Sequence, residues 1–206
     1  MSKREYYIKH DFYNLKSDEE LTILSNFKTH QWEIECACGP NAVLMILNYF
    51  NDYSMTEKEI FESVDCKIPG GTKIKNIVDF LRNRGYEIET SIEHAKNVNG
   101  KCFGTMEEFR DFVIDNLKKG YPILVESVYY GGHYQVIIGY DRRSENNYFN
   151  DVLIFADSSD ETDDCIDGYN YFSAFKFYMM WFDDRFFPIE HRQQPYIVVK
   201  SKINNK

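Results

Sequence analysis

Apolar side chains recur at three- and four-residue intervals in the segment that follows Cys38. This is the spacing of a helix face that packs into a core. Pro40 fits the first turn of such a helix, because a backbone N–H in that turn has no intrahelical acceptor to lose. The pattern therefore predicts a buried helix that begins at Cys38. Its apolar positions are Val43, Leu44, Ile46, Leu47 and Phe50.

Four further helices are predicted, two of them from capping boxes. Thr56 with Glu59, and Thr105 with Glu108, have the spacing at which a hydroxyl and a carboxylate satisfy the first free N–H groups of a helix. Glycines mark two of the expected C-terminal ends. The predicted helices open at Thr56, at Thr72 with an end at Gly85, and at Thr105 with an end at Gly120, and a last one covers Tyr171 to Phe182.

Runs of β-branched and aromatic residues bounded by turn residues predict strands in the second half of the chain. The best defined strand covers His133 to Tyr140 and follows Gly131-Gly132, a pair that permits positive φ. His133 is therefore expected at the first residue of a strand. The other predicted strands are Tyr121 to Val128, Asp151 to Asp157, Tyr196 to Lys200 and a short segment, Tyr86 to Thr90.

The strands that begin at His133 and Asp151 are expected to form a hairpin. Opposed residues in an antiparallel pair have numbers that sum to a constant, so a pairing of Tyr140 with Asn150 would place His133 opposite Asp157. Opposed side chains share a face and lie within about 5 Å between Cβ atoms. This register predicts a contact between His133 and Asp157, whereas a slip of one residue would move Asp157 to the other face.

Composition indicates one globular domain. The 206 residues are 43% hydrophobic and 17% aromatic, which suits a single domain with a substantial core. We expect residues 1–206 to form that domain, with residues 1–26 as an N-terminal extension. A net charge of −9 disfavours nucleic acid as a partner, because its phosphates would be repelled.

Cellular location is predicted from the same sequence. No segment approaches the roughly 20 apolar residues that cross a bilayer, and no signal-like apolar block follows the N-terminus. An odd number of cysteines, five, fits a compartment in which thiols stay reduced. We therefore expect a cytoplasmic protein without a membrane span.

Cys38 is the strongest candidate for a reactive side chain. The peptide dipoles of the predicted helix sum to roughly half a positive charge at its N-terminus, which favours a thiolate over a thiol. A free cysteine at this place can also be a small buried apolar residue. Cys36 is the rival nucleophile, but it precedes the helix and no Gly-Pro follows it.

His133 and Asp157 are the groups that a reactive Cys38 would need. The carboxylate could accept a hydrogen bond from one imidazole nitrogen while the other nitrogen faces the thiol. Thiol, imidazole and carboxylate in this order perform nucleophilic catalysis. The three residues together therefore favour an enzyme over a structural role for Cys38.

No cofactor and no metal ion are expected. Cys36-Ala37-Cys38 lacks the longer spacing and the second ligand pair of structural zinc sites. Gly70-Gly71-Thr72-Lys73 lacks the full spacing of a phosphate-binding loop. His30 adjoins Gln31 and could line a cleft, although its neighbours favour a surface position.

Three separated motifs, in order, resemble the papain-like double-glycine leader peptidases and their stand-alone bacterial relatives. The resemblance covers roughly residues 27 to 200. It implies an α+β, papain-like fold, in which a helical half with the nucleophile packs on an antiparallel β-sheet that carries the histidine and the aspartate. The motifs are Gln31 upstream of Cys38-Gly39-Pro40, the segment Gly132 to Ile137, and Ala156-Asp157.

The resemblance also implies a role for each residue. Cys38 would be the nucleophile and His133 the base, Asp157 would orient the base, and Gln31 would donate to the oxyanion. Papain-like enzymes usually place that glutamine six residues before the cysteine. Here the separation is seven, and Trp32 occupies the usual place.

The resemblance implies acyl transfer through a thioester. If water attacks the thioester, the protein is a cysteine peptidase that acts on a peptide or protein. If another amine or thiol attacks, it is a transferase of the phytochelatin-synthase type. A non-catalytic relative that only binds a peptide is the third possibility, and thiol-selective labelling would separate it from the two enzymes.

Overall fold

The computed structural model describes residues 10–97, 99–128, 131–143, 147–160, 165–183 and 187–202. Its helices are α1 (Cys38–Tyr49), α2 (Glu57–Ser63), α3 (Ile74–Asn83), α4 (Met106–Lys118) and α5 (Ala174–Met180). Its strands are β1 (Leu21–Ile23), β2 (Tyr86–Thr90), β3 (Ile123–Ser127), β4 (His133–Asp141), β5 (Val152–Ala156), β6 (Tyr169–Ser173) and β7 (Tyr196–Lys202). Single 3₁₀ turns cover Tyr148–Asn150 and Ile189–His191.

The strands form one antiparallel sheet in the order β2-β7-β3-β4-β5-β6, and β1 pairs with the end of β4. Helices α1 and α4 both pack against β4. The arrangement confirms the predicted α+β fold, in which a helical first half carries Cys38 and an antiparallel sheet carries His133. Its largest fully buried side chains include Trp181, Tyr86, Tyr140, Tyr196, Phe109 and Phe155.

The two capping boxes are confirmed. Thr56 accepts from the Glu59 N–H at the start of α2, Thr105 accepts from the Glu108 N–H at the start of α4, and both glutamates bond back to their threonine. The prediction that Thr72 opens α3 is wrong. Its hydroxyl donates to the Val64 carbonyl instead, and the helix begins at Ile74.

The predicted helix over 171–182 is too long at its N-terminal end. Residues Tyr169–Ser173 form β6, which pairs with β5, and only Ala174–Met180 are helical. The Ser173 hydroxyl accepts from the Lys176 N–H and so caps the helix. Aromatic side chains suit both states, so the continuous aromatic run concealed this boundary.

The described part of the N-terminal extension packs on the domain. Residues Leu21–Ile23 pair with Gly139 to Asp141 of β4, and Phe12 is buried in the core. Residues 1–9 of the predicted extension lie outside the described residues, as do Ser144 to Asn146 of the predicted hairpin connection.

The turn before β4 has the predicted backbone. Gly131 and Gly132 both have positive φ, +86° and +98°, which side chains strongly disfavour. This turn leads directly into His133, which pairs with Ser127 of β3. The catalytic candidate on the sheet is therefore fixed between a tight turn and a paired strand.

Candidate active site

Helix α1 places Cys38 in its first turn, with Ala37 as the preceding cap. The next residue, Gly39, lies where a Cβ would meet the Thr72 side chain at 2.6 Å and the Tyr134 ring at 3.1 Å. Only glycine lets the start of the helix approach these two elements so closely. The close approach brings Cys38 against the first residues of β4.

The thiol of Cys38 is only 7% exposed. Burial raises the pKa of this thiol, but hydrogen bonding and charge from His133, with the N–H groups of Tyr134 and Gly39, lower it below that of an ordinary cysteine. The net effect favours the thiolate. Cys66, by contrast, has its pKa raised to about 12, mainly by burial.

His133 lies between Cys38 and Asp157. Its Nε2 is 2.6 Å from Asp157 Oδ1, which leaves Nδ1 for the hydrogen bond with the Cys38 thiol. Burial disfavours a charged ring, but Asp157 and Cys38 outweigh it and raise the pKa of His133 to about 10. The edge of the Trp32 ring faces the imidazole, with centroids 6.3 Å apart.

Asp157 is fully buried and has four donors. Oδ1 accepts from the Ser159 N–H at 2.9 Å besides its contact with His133, and Oδ2 accepts from the Gln135 and Asn170 side-chain amides at 2.6 and 2.8 Å. Burial raises the pKa of this carboxyl, but these partners, led by His133, lower it overall. The acid is therefore held ionised beside the imidazole.

The predicted hairpin register is wrong, although the contact that it predicted is present. Tyr140 pairs with Leu153, not Asn150, and Val136 pairs with Ala156. A bulge between Ile137 and Gly139 absorbs one residue. Near the site, each residue of β4 therefore pairs with a residue of β5 that lies two positions later than predicted. A shift of two preserves the face, and Asp157 still points to the side of His133.

Gln135 and Asn170 belong to the site but were not predicted from the sequence. Gln135 is two residues from His133 on β4 and therefore shares its face, a signal that the alternation of the strand contained. Asn170 lies on β6, where the sequence pattern predicted no strand. Each donates one side-chain hydrogen bond to Asp157.

Gln31 forms hydrogen bonds with the backbone of the loop that follows β5. Its Nε2 donates to the Asp157 carbonyl at 2.9 Å, and its Oε1 accepts from the Asp160 N–H at 3.2 Å. The side chain holds the loop that follows β5 in this conformation. The role predicted for Gln31 at the oxyanion stays a prediction.

His30 and Cys36 lie near the site without joining the hydrogen-bonded chain. His30 is 39% exposed, and its Nε2 is 3.6 Å from Glu57 Oε2. Cys36 lines the same cavity as Cys38, yet it precedes α1 and has positive φ, +63°. Cys38 is therefore the thiol that the structure brings to His133.

A cavity of about 640 Å³ opens beside the thiol. This size is typical of sites for small molecules or a few residues of a peptide. Aromatic and aliphatic side chains form much of its wall, with a few polar groups among them. Its lining includes Trp32, Cys38, Glu126, His133, Tyr134 and Phe187.

The described residues contain no group of three or more His, Cys, Asp or Glu side chains arranged to hold a metal ion. None of the helices described is long and apolar enough to cross a bilayer.

A family model matches most of the chain, and a solved structure is similar to it in fold. The model of the Peptidase_C39-like family matches residues 24–180. The peptidase domain of Streptococcus ComA, a bifunctional ABC transporter involved in quorum sensing, is similar in fold, with a TM-score of 0.56 and 17% identity over 85% of this chain and 99% of that domain. A double-glycine motif protease from an AMS/PCAT transporter, solved with its leader peptide, gives 0.48 and 15% over 84% and 91%. No curated protein matches the sequence significantly.

Proposed function

The chain belongs to the Peptidase_C39-like family, and we propose that it is a cysteine peptidase that hydrolyses a peptide bond through a thioester. One observation carries this proposal: Cys38, His133 and Asp157 form a continuous hydrogen-bonded chain at the edge of a cavity. The lowered pKa of the thiol and the raised pKa of the imidazole support a thiolate paired with an imidazolium before substrate binds.

In the proposed mechanism the Cys38 thiolate attacks the carbonyl carbon of the scissile bond. The tetrahedral intermediate collapses as His133 gives its proton to the leaving amine, and a thioester to Cys38 remains. His133 then takes a proton from water, whose oxygen attacks the thioester and releases the acid product. Asp157 keeps the imidazole oriented and stabilises its charged form throughout.

The backbone N–H of Cys38 is the first proposed donor to the oxyanion. It lies in the first turn of α1, where N–H groups lack intrahelical acceptors, and it has no hydrogen-bond partner among the residues described here. Gln31 is the proposed second donor. Gln31→Ala should then slow turnover about 100-fold without moving the pH profile of Cys38 alkylation. A shifted profile would instead indicate that Gln31 acts by holding the Asp157 loop.

A cleavage assay with a mixture of peptides tests the proposal. We expect the wild-type protein to release new peptide termini and Cys38→Ala to release none while it retains the circular dichroism and Tm of the wild type. Cys36→Ala is the matched control and should stay active. Activity that survives in Cys38→Ala but not in Cys36→Ala would contradict the assignment of the nucleophile.

The products also distinguish hydrolysis from transfer. Mass spectrometry in ¹⁸O-labelled water should show one labelled oxygen in the new carboxyl terminus of each product. Products that carry an added amine or thiol instead would indicate a transferase. Rapid alkylation of Cys38 without any product would indicate that the cavity binds peptides without cleaving them.

A reducing, cytoplasmic location is part of the same proposal. All five cysteines are free thiols, and a thiolate nucleophile is best protected from oxidation where thiols are kept reduced.

A further inference from the structure

A second thiol lies beside Cys38 and has no part in the proposed mechanism. Cys36 is a free, half-buried cysteine that lines the same cavity as Cys38. Among the described residues that line this cavity, Cys36 and Cys38 are the two thiols. Both belong to one short segment, which leads into helix α1 and forms its first residue. A reagent that enters the cavity therefore meets two sulfur atoms.

The backbone of this segment holds the two cysteines close together. The single residue between them, Ala37, has compact backbone angles, with φ −88° and ψ 21°. A residue with near-helical angles places the Cα atoms of its two neighbours about 5.5 Å apart. The Cα atoms of a disulfide usually lie between about 4.4 and 6.8 Å apart. The Cα spacing therefore permits a disulfide between Cys36 and Cys38.

Cys36 also occupies a backbone position that cysteine rarely takes. It is the third residue of a turn, which the Ala37 N–H closes by donating to the Ile34 carbonyl at 3.2 Å. Its φ of +63° is one that glycine and asparagine adopt more readily at this place in a turn. Backbone strain of this kind is concentrated at functional sites. The strained position therefore indicates a use for the cysteine side chain.

Cys66 is a third thiol in this region, but it is poorly suited to react. It is 5% exposed, and its Sγ donates to the Cys36 carbonyl at 3.5 Å. Burial is the main cause that raises its pKa to about 12, so it stays a protonated thiol. The attacking species in thiol chemistry is the thiolate. Cys36 is therefore the better partner for an oxidised Cys38.

We propose that Cys36 is the resolving thiol of a reversible oxidative modification of Cys38 by hydrogen peroxide. The Cys38 thiolate attacks one peroxide oxygen, the O–O bond breaks, and hydroxide leaves, so that a sulfenic acid forms on Cys38. The hydroxide takes the proton of the Cys36 thiol. The Cys36 thiolate attacks the sulfenic sulfur, a second hydroxide leaves and the S–S bond forms. The two cysteines together lose two electrons, and the peroxide gains them.

The disulfide would protect Cys38 from further oxidation. A sulfenic acid that no thiol captures continues to a sulfinic acid, which ordinary thiols do not reduce. A disulfide, by contrast, is reduced by thiol exchange, which returns both cysteines. The proposal requires a reactive thiolate at Cys38, and it holds whether or not the protein cleaves peptides.

Treatment with hydrogen peroxide, followed by N-ethylmaleimide, trypsin and mass spectrometry, tests the proposal. Trypsin cleaves after lysine, so Cys36 and Cys38 lie in one peptide, residues 29–58, and Cys66 lies in the next, residues 59–67. In the wild type we expect the first peptide to lose two hydrogen atoms and to bind no maleimide. Dithiothreitol added before the maleimide should restore both thiols of that peptide.

The decisive variant is Cys36→Ser, which removes the resolving thiol. Peroxide should then carry Cys38 to the sulfinic acid, and the recovery of its thiol by dithiothreitol should be lost. Cys36→Gly suits the positive φ and should give the same result if the serine variant fails to fold. Cys66→Ser is the matched control, and its peptide 29–58 should form and release the disulfide as in the wild type.

Two outcomes would overturn the proposal. A disulfide that joins peptides 29–58 and 59–67 in the wild type would give the resolving role to Cys66. Equal recovery of Cys38 by dithiothreitol in the wild type and in Cys36→Ser would show that no resolving thiol acts. A protein that forms the predicted disulfide but cleaves no peptide would refute the peptidase proposal alone, and an active peptidase without the disulfide would refute this one alone.

Discussion

Burial and charge act in opposite directions on the reactive residues. Taken alone, burial would keep the Cys38 thiol protonated and the His133 ring neutral. The short contact between His133 and Asp157 reverses both effects, because it stabilises the imidazolium that in turn stabilises the thiolate. The ionisation of the Cys38 thiol therefore depends on a carboxylate that does not touch it.

Asp157→Asn tests this dependence. The amide cannot stabilise the imidazolium, so the inflection of Cys38 alkylation with pH should move up towards that of an ordinary cysteine, and turnover should fall by roughly 100- to 10,000-fold. The measurement is the rate of iodoacetamide labelling at Cys38 between pH 5 and 9. Asp160→Asn is the control, because Asp160 accepts from the Gly168 N–H and Asp157 is the carboxylate hydrogen-bonded to His133. A shifted inflection in the control and none in Asp157→Asn would move the orienting role to Asp160.

The contribution of Glu126 to the stability of the fold depends on pH. Its pKa is raised in the folded protein, so its contribution is fully present below the unfolded pKa of about 4.3 and is lost as pH rises. Glu126→Gln has a neutral side chain of the same shape at every pH. We expect its Tm to match the wild type near pH 4 and to exceed it by on the order of 3 °C at pH 8, measured by calorimetry. A Tm difference that is the same at both pH values would show that Glu126 is ionised in the folded protein.

At the scale of elements, helix α2 fixes the wall of the cavity on one side. Glu57, 5% exposed, accepts from the Glu33 and Ile34 N–H groups at 3.2 and 3.1 Å and from the Asn41 side chain at 3.0 Å. One carboxylate thus joins the segment that carries Trp32 to helix α1. Cys38 and the residues that precede it are held as a unit.

Glu57→Ala should break this unit. It leaves buried donors without an acceptor, so we expect the free energy of unfolding to fall by about 3 kcal/mol and the alkylation of Cys38 to lose its selectivity over Cys36. Chemical denaturation and peptide mapping measure the two effects. Glu59→Ala on the same helix removes only the capping box and should cost about 1 kcal/mol with unchanged labelling. Equal effects of the two variants would contradict the role given to Glu57.

Elements with local signals were predictable from the sequence, and pairings between distant elements were not. Capping boxes at Thr56 and Thr105 lie within one turn of chain, and both helices begin there. The start of α5 was missed, although Ser173 is a capping residue that the sequence displays. The bulge in β4 depends on contacts with β5, and no local pattern specifies it. The candidate site could be predicted because its motifs are local, whereas Asn170 joins it only through β6.

At the scale of the whole molecule, Asp52 joins distant parts of the chain. Its carboxylate accepts from Arg84 after α3 at 2.8 Å, from Tyr86 of β2 at 3.2 Å and from Lys202 at the end of β7 at 2.8 Å. Burial opposes ionisation, but Lys202, Ser54 and Arg84 lower the pKa of Asp52 well below its usual range. The edge of the sheet opposite to β6 is secured here.

Asp52→Asn should therefore destabilise the protein in a pH-dependent way. The contribution of a carboxylate with a lowered pKa is present above its unfolded pKa, about 3.9, and is lost as pH falls through the folded value. We expect the free energy of unfolding to fall by about 2 kcal/mol at pH 7 and the difference to shrink below pH 4, measured by urea denaturation. Asp79→Asn, which removes an exposed pair with Lys75, should change it by less than about 0.5 kcal/mol. A difference for Asp52→Asn that is constant from pH 7 to pH 3 would contradict the ion-pair origin.

The bulge between Ile137 and Gly139 has a consequence for how chains of this kind can vary in length. A single residue gained or lost between His133 and the bulge, or between Val152 and Asp157, moves one of these two side chains to the other face of the sheet and separates Asp157 from His133. A residue gained or lost in the connection after Arg142 leaves His133 and Asp157 on the same face of the sheet. Among related sequences, insertions and deletions of odd length should therefore collect in this connection and be missing from the two strands beside it.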